Sequence, residues 1–453
     1  MAEYTFNGGV TPPDGKAYSK DCGIQTLFPQ NGVLNFPLKQ HIGSPAQPVV
    51  REGDYVRTGQ LIAAAQEDLS ANLHASVSGR VVGLSECPLA DGTTGQCLQI
   101  LNDGTYLEVS YPDKRRLETL NRETVLRAIQ SAGIVGMGGA GLPTHVKLMS
   151  GDADQIDTVI ANCIECEPYL TSDYRRTLEN PWKIISGLMI LLTVFPRARG
   201  IIAVSDKNEK GYRQLRELLE DHERISVKRC SSKYPQGSER QLIYALTGRT
   251  LNATMLPADI GCIVNNTDTL IAINQAVIMH EPLITRIITV TGDGVVAPGN
   301  FRVRLGMTYR DILEQAGGLA KGITLDDVVV LNGGPMTGNQ MSNLDVPVTK
   351  LSTGIVVLKR ENLPQREVSA CTRCARCVDA CPNNLVPLQL YDDITHKRTT
   401  AFIRHGGLEC CSCGCCSYSC PSNIPLAAQI TGVKETIMRR PRLAGDYARR
   451  YMH

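Results

Sequence analysis

Aromatic residues are scarce in this 453-residue chain, at 5% with one tryptophan, Trp182. That scarcity argues against a stacking platform for bases or sugars. Net charge is nearly absent too, at +2 from 47 Lys and Arg against 45 Asp and Glu. No electrostatic bias therefore points to nucleic acid or an acidic membrane surface. The longest apolar run, Ile184 to Phe195, is only about half the ~20 residues a spanning helix needs, so the chain is expected not to cross a membrane by itself. The opening, MAEYTFNGGVTPPDGK, lacks the apolar stretch of a secretory signal, which removes the oxidising context a disulfide scaffold requires.

What the chain does have is cysteine: 17 residues, 10 of them between Cys371 and Cys420. In a reducing compartment such a cluster implies metal chemistry. The first run, Cys371, Cys374, Cys377, Cys381 and Pro382, has the spacing C-x2-C-x2-C-x3-C-P of bacterial ferredoxins. The second region holds six cysteines, and only Cys410, Cys413, Cys416 and Cys420, followed by Pro421, restore that spacing, leaving Cys411 and Cys415 as surplus. Three thiolates come from one tight turn and the fourth from elsewhere. In two-cluster ferredoxins the fourth cysteine of each run serves the other cluster. That rule assigns Cys371, Cys374, Cys377 and Cys420 to one [4Fe–4S] cluster, and Cys410, Cys413, Cys416 and Cys381 to a second. A zinc site would use one set of four ligands, often two C-x2-C pairs; two consecutive runs closed by Cys-Pro suit cubanes better.

The rest of the chain, 42% hydrophobic and 20% charged, has ordinary globular composition and is long enough for three or four domains. Residues 1–30 read as an extended arm. Over 31–112, short β-runs are broken by turns at Gly53-Asp54 and Thr58-Gly59. This part resembles the biotinyl/lipoyl barrel-sandwich hybrid. Carriers of that family place a modified lysine between the two halves, but the segment 65–74 has none, so a structural or docking role is expected. Over 118–282 the chain alternates helical patterns with buried β-branched runs at 157–162 and 200–206, the logic of a Rossmann-like α/β domain with a parallel sheet. Residues 283–358 return to β and resemble the soluble ligand-binding β-grasp (SLBB) module. A linker precedes the cysteine region, 366–435, expected to be a helical ferredoxin-like domain with a helical insertion at 382–409, and a basic tail follows at 436–453.

Within the α/β part, Gly136-Met-Gly138-Gly139-Ala-Gly141 follows a helix pattern and precedes Lys147. Without a Cβ, such backbone can approach a phosphate closely. The stretch 136–148 resembles the flavin loop of the 51-kDa subunit of respiratory complex I. Three further segments match that subunit in order: Asn162-Cys-Ile-Glu165-Cys-Glu167-Pro168, Gly237-Ser-Glu239, and Val264-Asn265-Asn266-Thr-Asp-Thr269-Leu270. Met137, Ile164 and Ser238 depart from its pattern. The resemblance implies FMN, with NADH beside it. Lys147 would offset phosphate charge. Asn162, Asn265 and Asn266 would offer amides to the flavin. Glu165, Glu167 and Glu239 would accept ribose or nicotinamide hydrogen bonds. Cys163 and Cys166 read as small buried thiols, and His41 and His74 as structural histidines.

The complete order of barrel-sandwich, flavin domain, β-grasp and two ferredoxin runs resembles the C subunits of bacterial Rnf complexes, the ion-translocating ferredoxin:NAD oxidoreductases. That implies a peripheral subunit on the cytoplasmic face of the cell membrane. Its partners would be the other Rnf subunits, including the ferredoxin-type B subunit, with ferredoxin reached indirectly. It would move electrons between NAD(H), FMN and two [4Fe–4S] clusters. The microcompartment cobalamin reductases share most of these parts but carry the barrel-like segment after the clusters. An electron-transfer adaptor without a working flavin site is the non-enzymatic alternative.

Overall fold

A computed structural model describes residues 4–30, 32–139, 141–364 and 367–439. Most of the basic tail, 440–453, lies outside the described residues. Among the described residues no helix is long and apolar enough to cross a membrane. The apolar run instead forms the interior helix Pro181–Val194, with Ile184, Ile185, Leu188 and Leu191 fully buried. These positions fall on one stripe of a helix, and each such side chain contributes about 1.5–3 kcal/mol on leaving water.

That helix covers a four-stranded parallel sheet ordered Ile225–Cys230, Arg199–Ser205, Thr158–Cys163, Cys262–Asn266. The chain lays down Thr158–Cys163 first, builds outward on one side, then returns to add Cys262–Asn266 on the other. The order thus reverses between Thr158–Cys163 and Cys262–Asn266. In open α/β sheets such a reversal opens a crevice at the carboxyl ends of the strands.

The barrel-sandwich part holds two small sheets. One is ordered Gly32–Pro37, Thr94–Asn102, Gly79–Pro88, Tyr55–Val56, and the other Gln47–Pro48, Leu61–Ala64, Leu73–His74. The sequence treats it as separate from the β-grasp, yet the two share one core in which Phe36, Ile62 and Leu98 cluster with Phe301, Val303 and Tyr309. The segment that would carry a lysine in a swinging-arm protein is docked. Ala71 joins the core of the α/β domain, and the Asn72 amide donates to the Ser131 carbonyl at 3.1 Å. Lys350 fastens the same seam from full burial, donating to the Asn72 and Gly133 carbonyls at 2.5 and 2.7 Å.

The arm is not loose. Tyr4 bridges Cys230 at the edge of the parallel sheet and Val10 bridges Tyr234. The Gly9 amide donates to the Ala380 carbonyl at 3.0 Å. Farther on, Ile24–Thr26 adds an edge strand to the six-stranded β-grasp sheet by parallel pairing with Gly299–Arg304. Gly8 is required here: its φ is +77°, and a Cβ would stand 2.6 Å from the Cys381 carbonyl oxygen. The arm is therefore a strap across the α/β domain, the cysteine region and the β-grasp.

Candidate functional site

The carboxyl ends of the neighbouring strands Thr158–Cys163 and Cys262–Asn266 bring the predicted amides together. Asn162 and Asn266 are register partners across the reversal. Asn162 donates to the Gly237 carbonyl at 2.8 Å and accepts from the Ile164 amide at 3.2 Å. Gly237 has no room for a side chain, since a Cβ would meet the Ile164 carbonyl at 2.8 Å. Asn266 accepts from the Asp268 amide at 2.9 Å, which starts the helix Thr267–Ile278, and donates to Asp173 at 2.7 Å. Asn265 is 1% exposed and neither of its amide atoms has a partner. Such a group costs about 1–3 kcal/mol unless something answers it.

The Gly-rich loop closes over this point. Gly138 is exposed and sits so close to Asn266 that a Cβ would lie 2.8 Å from its Cβ. Gly139 is also exposed, with nothing within 4 Å of where a Cβ would be, so its surface faces open space. Gly141, at φ +73°, packs instead against Leu351 and His41, and Gly136 donates to the Leu142 carbonyl at 2.9 Å. Thr269 accepts from the Met137 amide at 3.1 Å and pins the loop to the helix start. Beneath lies a buried charge network. Asp268 pairs with Arg286 and, at 2.8 Å, with Arg176; Arg176 pairs with Asp173 at 2.9 Å. Both arginines are almost wholly buried, and Arg286 reaches the Met137 carbonyl at 3.4 Å.

The charged residues expected to meet a nucleotide have other partners. Lys147 donates to the Val264 carbonyl at 2.8 Å, and burial depresses its pKa while Glu239 opposes the shift. Glu165 accepts from the Ser172 hydroxyl and the Asp173 and Tyr174 amides at 3.1–3.2 Å, capping the helix Ser172–Glu179. Glu167 accepts from the Met336 and Thr337 amides at 2.7 and 3.2 Å, tying the strand end to the β-grasp loop. Burial raises the pKa of both carboxyls. The Glu165 and Glu167 oxygens thus already answer nearby backbone amides. The sequence reading passed over Gln236, which is fully buried beside Gly237 with both amide atoms unpartnered. Open glycine backbone and the orphaned amides of Asn265 and Gln236 fit a flat, polar-edged phosphorylated group such as FMN.

The cysteines form two separate sets. Cys371, Cys374, Cys377 and Cys420 line one cavity with Leu388, Tyr391 and Ile424. Cys381, Cys410, Cys413 and Cys416 line another with Leu385, Leu390 and Ile430, where Cys411 also reaches. The two turns repeat one backbone pattern, with left-handed residues two and four positions after the first cysteine: Arg373 and Ala375, then Ser412 and Gly414. For the three that are not glycine this costs roughly 1–2 kcal/mol each. The amides of Arg373 and Ser412 each donate to the first thiol of their run at 3.4 Å. Among the described residues no three His, Cys, Asp or Glu converge on a point as a single metal ion requires, whereas a cubane spreads its four thiolates around a cavity. Within 382–409 lie the helices Pro387–Thr395 and Thr399–Arg404.

Comparison with known proteins places these parts in one lineage. The family model of the Nuo51 FMN-binding domain matches residues 129–275, that of the RnfC barrel sandwich hybrid domain 4–105, and that of the SLBB domain 287–340. The C subunit of the proton-translocating ferredoxin:NAD(+) oxidoreductase complex of Clostridium ljungdahlii is 39% identical, over 85% of this chain and 83% of its own. The chain belongs to the Rnf C-subunit family. The Na(+)-translocating counterpart from Acetobacterium woodii is 34% identical over 85% of this chain and 86% of its own, and that of Rhodobacter capsulatus 36% over 86% and 75%. Among solved structures, an NAD+-reducing [NiFe]-hydrogenase aligns over 73% of this chain and 72% of that chain at 17% identity, with a TM-score of 0.49. Membership in the Rnf C-subunit family gives the barrel, the flavin-type α/β domain and the β-grasp of this chain a common setting.

Proposed function

We propose that this Rnf C-family chain is the NAD(H)-facing peripheral subunit of a membrane-bound, ion-translocating ferredoxin:NAD(+) oxidoreductase. The observation that carries the reading is one loop shared by both candidate sites. At one end of Tyr234–Gly237, the Gly237 carbonyl holds Asn162 in the strand-end crevice. At the other, buried Tyr234 packs against Cys413 and Cys415 beside the second cysteine set, with Cys166, Met336 and Ala380 around it. Bound FMN would supply the step between two-electron and one-electron chemistry, and two [4Fe–4S] clusters would supply one-electron relays.

The chain's own residues do the rest. Gly138 and Gly139 present backbone amides to the flavin phosphate, while Gly136, Gly141, Thr269 and Lys147 fix the loop. Asn162, Asn265 and Asn266 address the flavin edge, supported by Gly237. Glu239 stands at the start of the helix Glu239–Thr247, available to NAD(H), while Glu165 and Glu167 hold the crevice walls. Cys371, Cys374, Cys377 and Cys420 hold one cluster and Cys381, Cys410, Cys413 and Cys416 the other, in a ferredoxin-like domain over about 366–435, after domains over 31–112, 118–282 and 283–358. The apolar packing around Tyr234 excludes water between the crevice and the second set. Cys371 and Cys374 are exposed, which leaves the first set toward the partner subunits at the cytoplasmic face.

The test is iron, sulfide and flavin content on anaerobically purified protein, then titration with NADH followed optically. About eight irons with one FMN, bleached by NADH, is the expected result. Full iron with no flavin and no bleaching after FMN is added back would leave only an electron-transfer adaptor.

A further inference from the structure

At the far end of the α/β domain lies a cavity of about 440 Å³ that takes no part in the flavin crevice. It sits where the barrel-sandwich, the linker after it and the α/β domain meet, and its size suits a small metabolite. The helix Thr267–Ile278 separates the two places. Asn266 caps its start in the crevice, and Ala276 and His280 line the cavity at its other end. Twelve residues of helix set them about 18 Å apart.

The lining has one sign of charge. Arg115 and Arg127 reach the cavity, with His74, His280, Tyr111 and Ser131, and no aspartate or glutamate lines it. The Arg127 side chain is largely exposed, and its guanidinium pairs with Glu123. Arg115 gives one nitrogen to the Val277 carbonyl at 3.0 Å, and a guanidinium has further donors to offer. Two ring nitrogens are orphaned: His74 Nδ1, on a residue only 7% exposed, and His280 Nε2. Burial and neighbouring cations lower the pKa of both imidazoles, so near neutrality the fixed positive charge comes from the two guanidiniums.

His280 also occupies an unusual backbone position. It follows the last turn of the helix at φ +62°, where glycine is the usual residue. A left-handed histidine aimed into a cavity with an unanswered nitrogen is strain of the kind found at binding sites.

We infer that this cavity binds a small phosphate monoester, held by the Arg115 and Arg127 guanidiniums with His74 and His280 as hydrogen-bonding partners. Two guanidiniums match a phosphate dianion, and arginine forks suit its oxygens. The monoester is a sugar phosphate or a nucleoside monophosphate, which share that group.

The test is calorimetric titration of protein loaded with flavin and iron and saturated with NADH, using ribose 5-phosphate, adenosine monophosphate and adenosine as probes. One saturable site for both phosphates and none for adenosine is expected. Equal affinities would mark a sugar-phosphate site, and tighter binding of adenosine monophosphate a nucleotide site. His280→Gly removes the imidazole while relieving the backbone, so it should raise the melting temperature yet weaken binding at least tenfold. Arg115→Gln should weaken it further. Absence of saturable phosphate binding in the unsubstituted protein overturns the inference. So does unchanged affinity in a well-folded His280→Gly variant, or equal binding of adenosine. NADH bleaching of the flavin is read on the same samples, so failure here is distinguishable from failure of the redox reading.

Discussion

The crossed cysteine assignment makes a prediction that counts atoms. Cys381 belongs by sequence to the first run, but it lines the cavity of Cys410, Cys413 and Cys416. Cys420 belongs to the second run and lines the cavity of Cys371, Cys374 and Cys377. The experiment pairs substitutions in a Cys411→Ala background, because the Cys411 thiol also lines the second cavity and could stand in for a lost ligand. Cys381→Ala with Cys410→Ala removes two ligands from one cavity, so iron should fall from about eight to about four per chain. Cys381→Ala with Cys374→Ala removes one ligand from each cavity, so iron should fall toward zero. If each run kept its own fourth cysteine, the two results would exchange: Cys381 with Cys374 would spare about four irons, and Cys381 with Cys410 would spare none. Iron and acid-labile sulfide on anaerobic protein read this directly, and low-temperature paramagnetic resonance of the reduced protein shows which signal survives. That exchanged outcome would refute the reasoning, and with it the meaning given to the two cavities.

Gly139→Val should lose flavin yet keep both sets of irons, with stability within about 0.5 kcal/mol, since the new side chain enters open space; retained flavin would show that the open face is not the cradle. Asp268→Asn should destabilise the α/β domain by about 3–5 kcal/mol, because buried Arg286 would lose the carboxylate it pairs with and Arg176 would keep only Asp173; urea unfolding followed by circular dichroism measures it. His74 and His41 have folded pKa values depressed to about 3 and about 4, chiefly by burial. Their unfolded forms take up protons first, so stability is full above about pH 6.5 and falls as pH drops toward those values. Each histidine should contribute about 1.4 kcal/mol per pH unit to the slope between about pH 6 and 4, with the raised carboxyls of Glu165 and Glu167 opposing them; His74→Gln should remove its share from the urea midpoints, and an unchanged slope would contradict the assignment.

The first two parallel strands and both cysteine turns were legible because each rests on local pattern. Buried β-branched runs at 157–162 and 200–206 mark the strands Thr158–Cys163 and Arg199–Ser205, and C-x2-C-x2-C can close in only a few ways. The meeting of Asn162 with Asn266, and of Asn266 with Gly138, followed once strand ends were placed. What stayed hidden depends on contacts far apart in sequence. Nothing local shows that Glu167 answers amides at Met336 and Thr337, or that barrel and β-grasp share a core. Gln236 carries no motif, and its unpartnered amide shows only through burial. The strap formed by residues 4–30 reads in sequence only as an extended arm, because its partners lie in three other regions of the chain.

That strap bears on the order in which the protein folds. Tyr4 and Val10 close on Cys230 and Tyr234, and Ile24–Thr26 on Gly299–Arg304, whereas Gly9 hydrogen-bonds Ala380 and Gly8 abuts Cys381, much farther along the chain. Contacts so distant in sequence form late and slowly. The strap is therefore pinned in stages, and the contact at Gly8 and Gly9 closes only when the cysteine turn beside it has taken shape. Proteolysis within that stretch would then report on metal loading at Cys381.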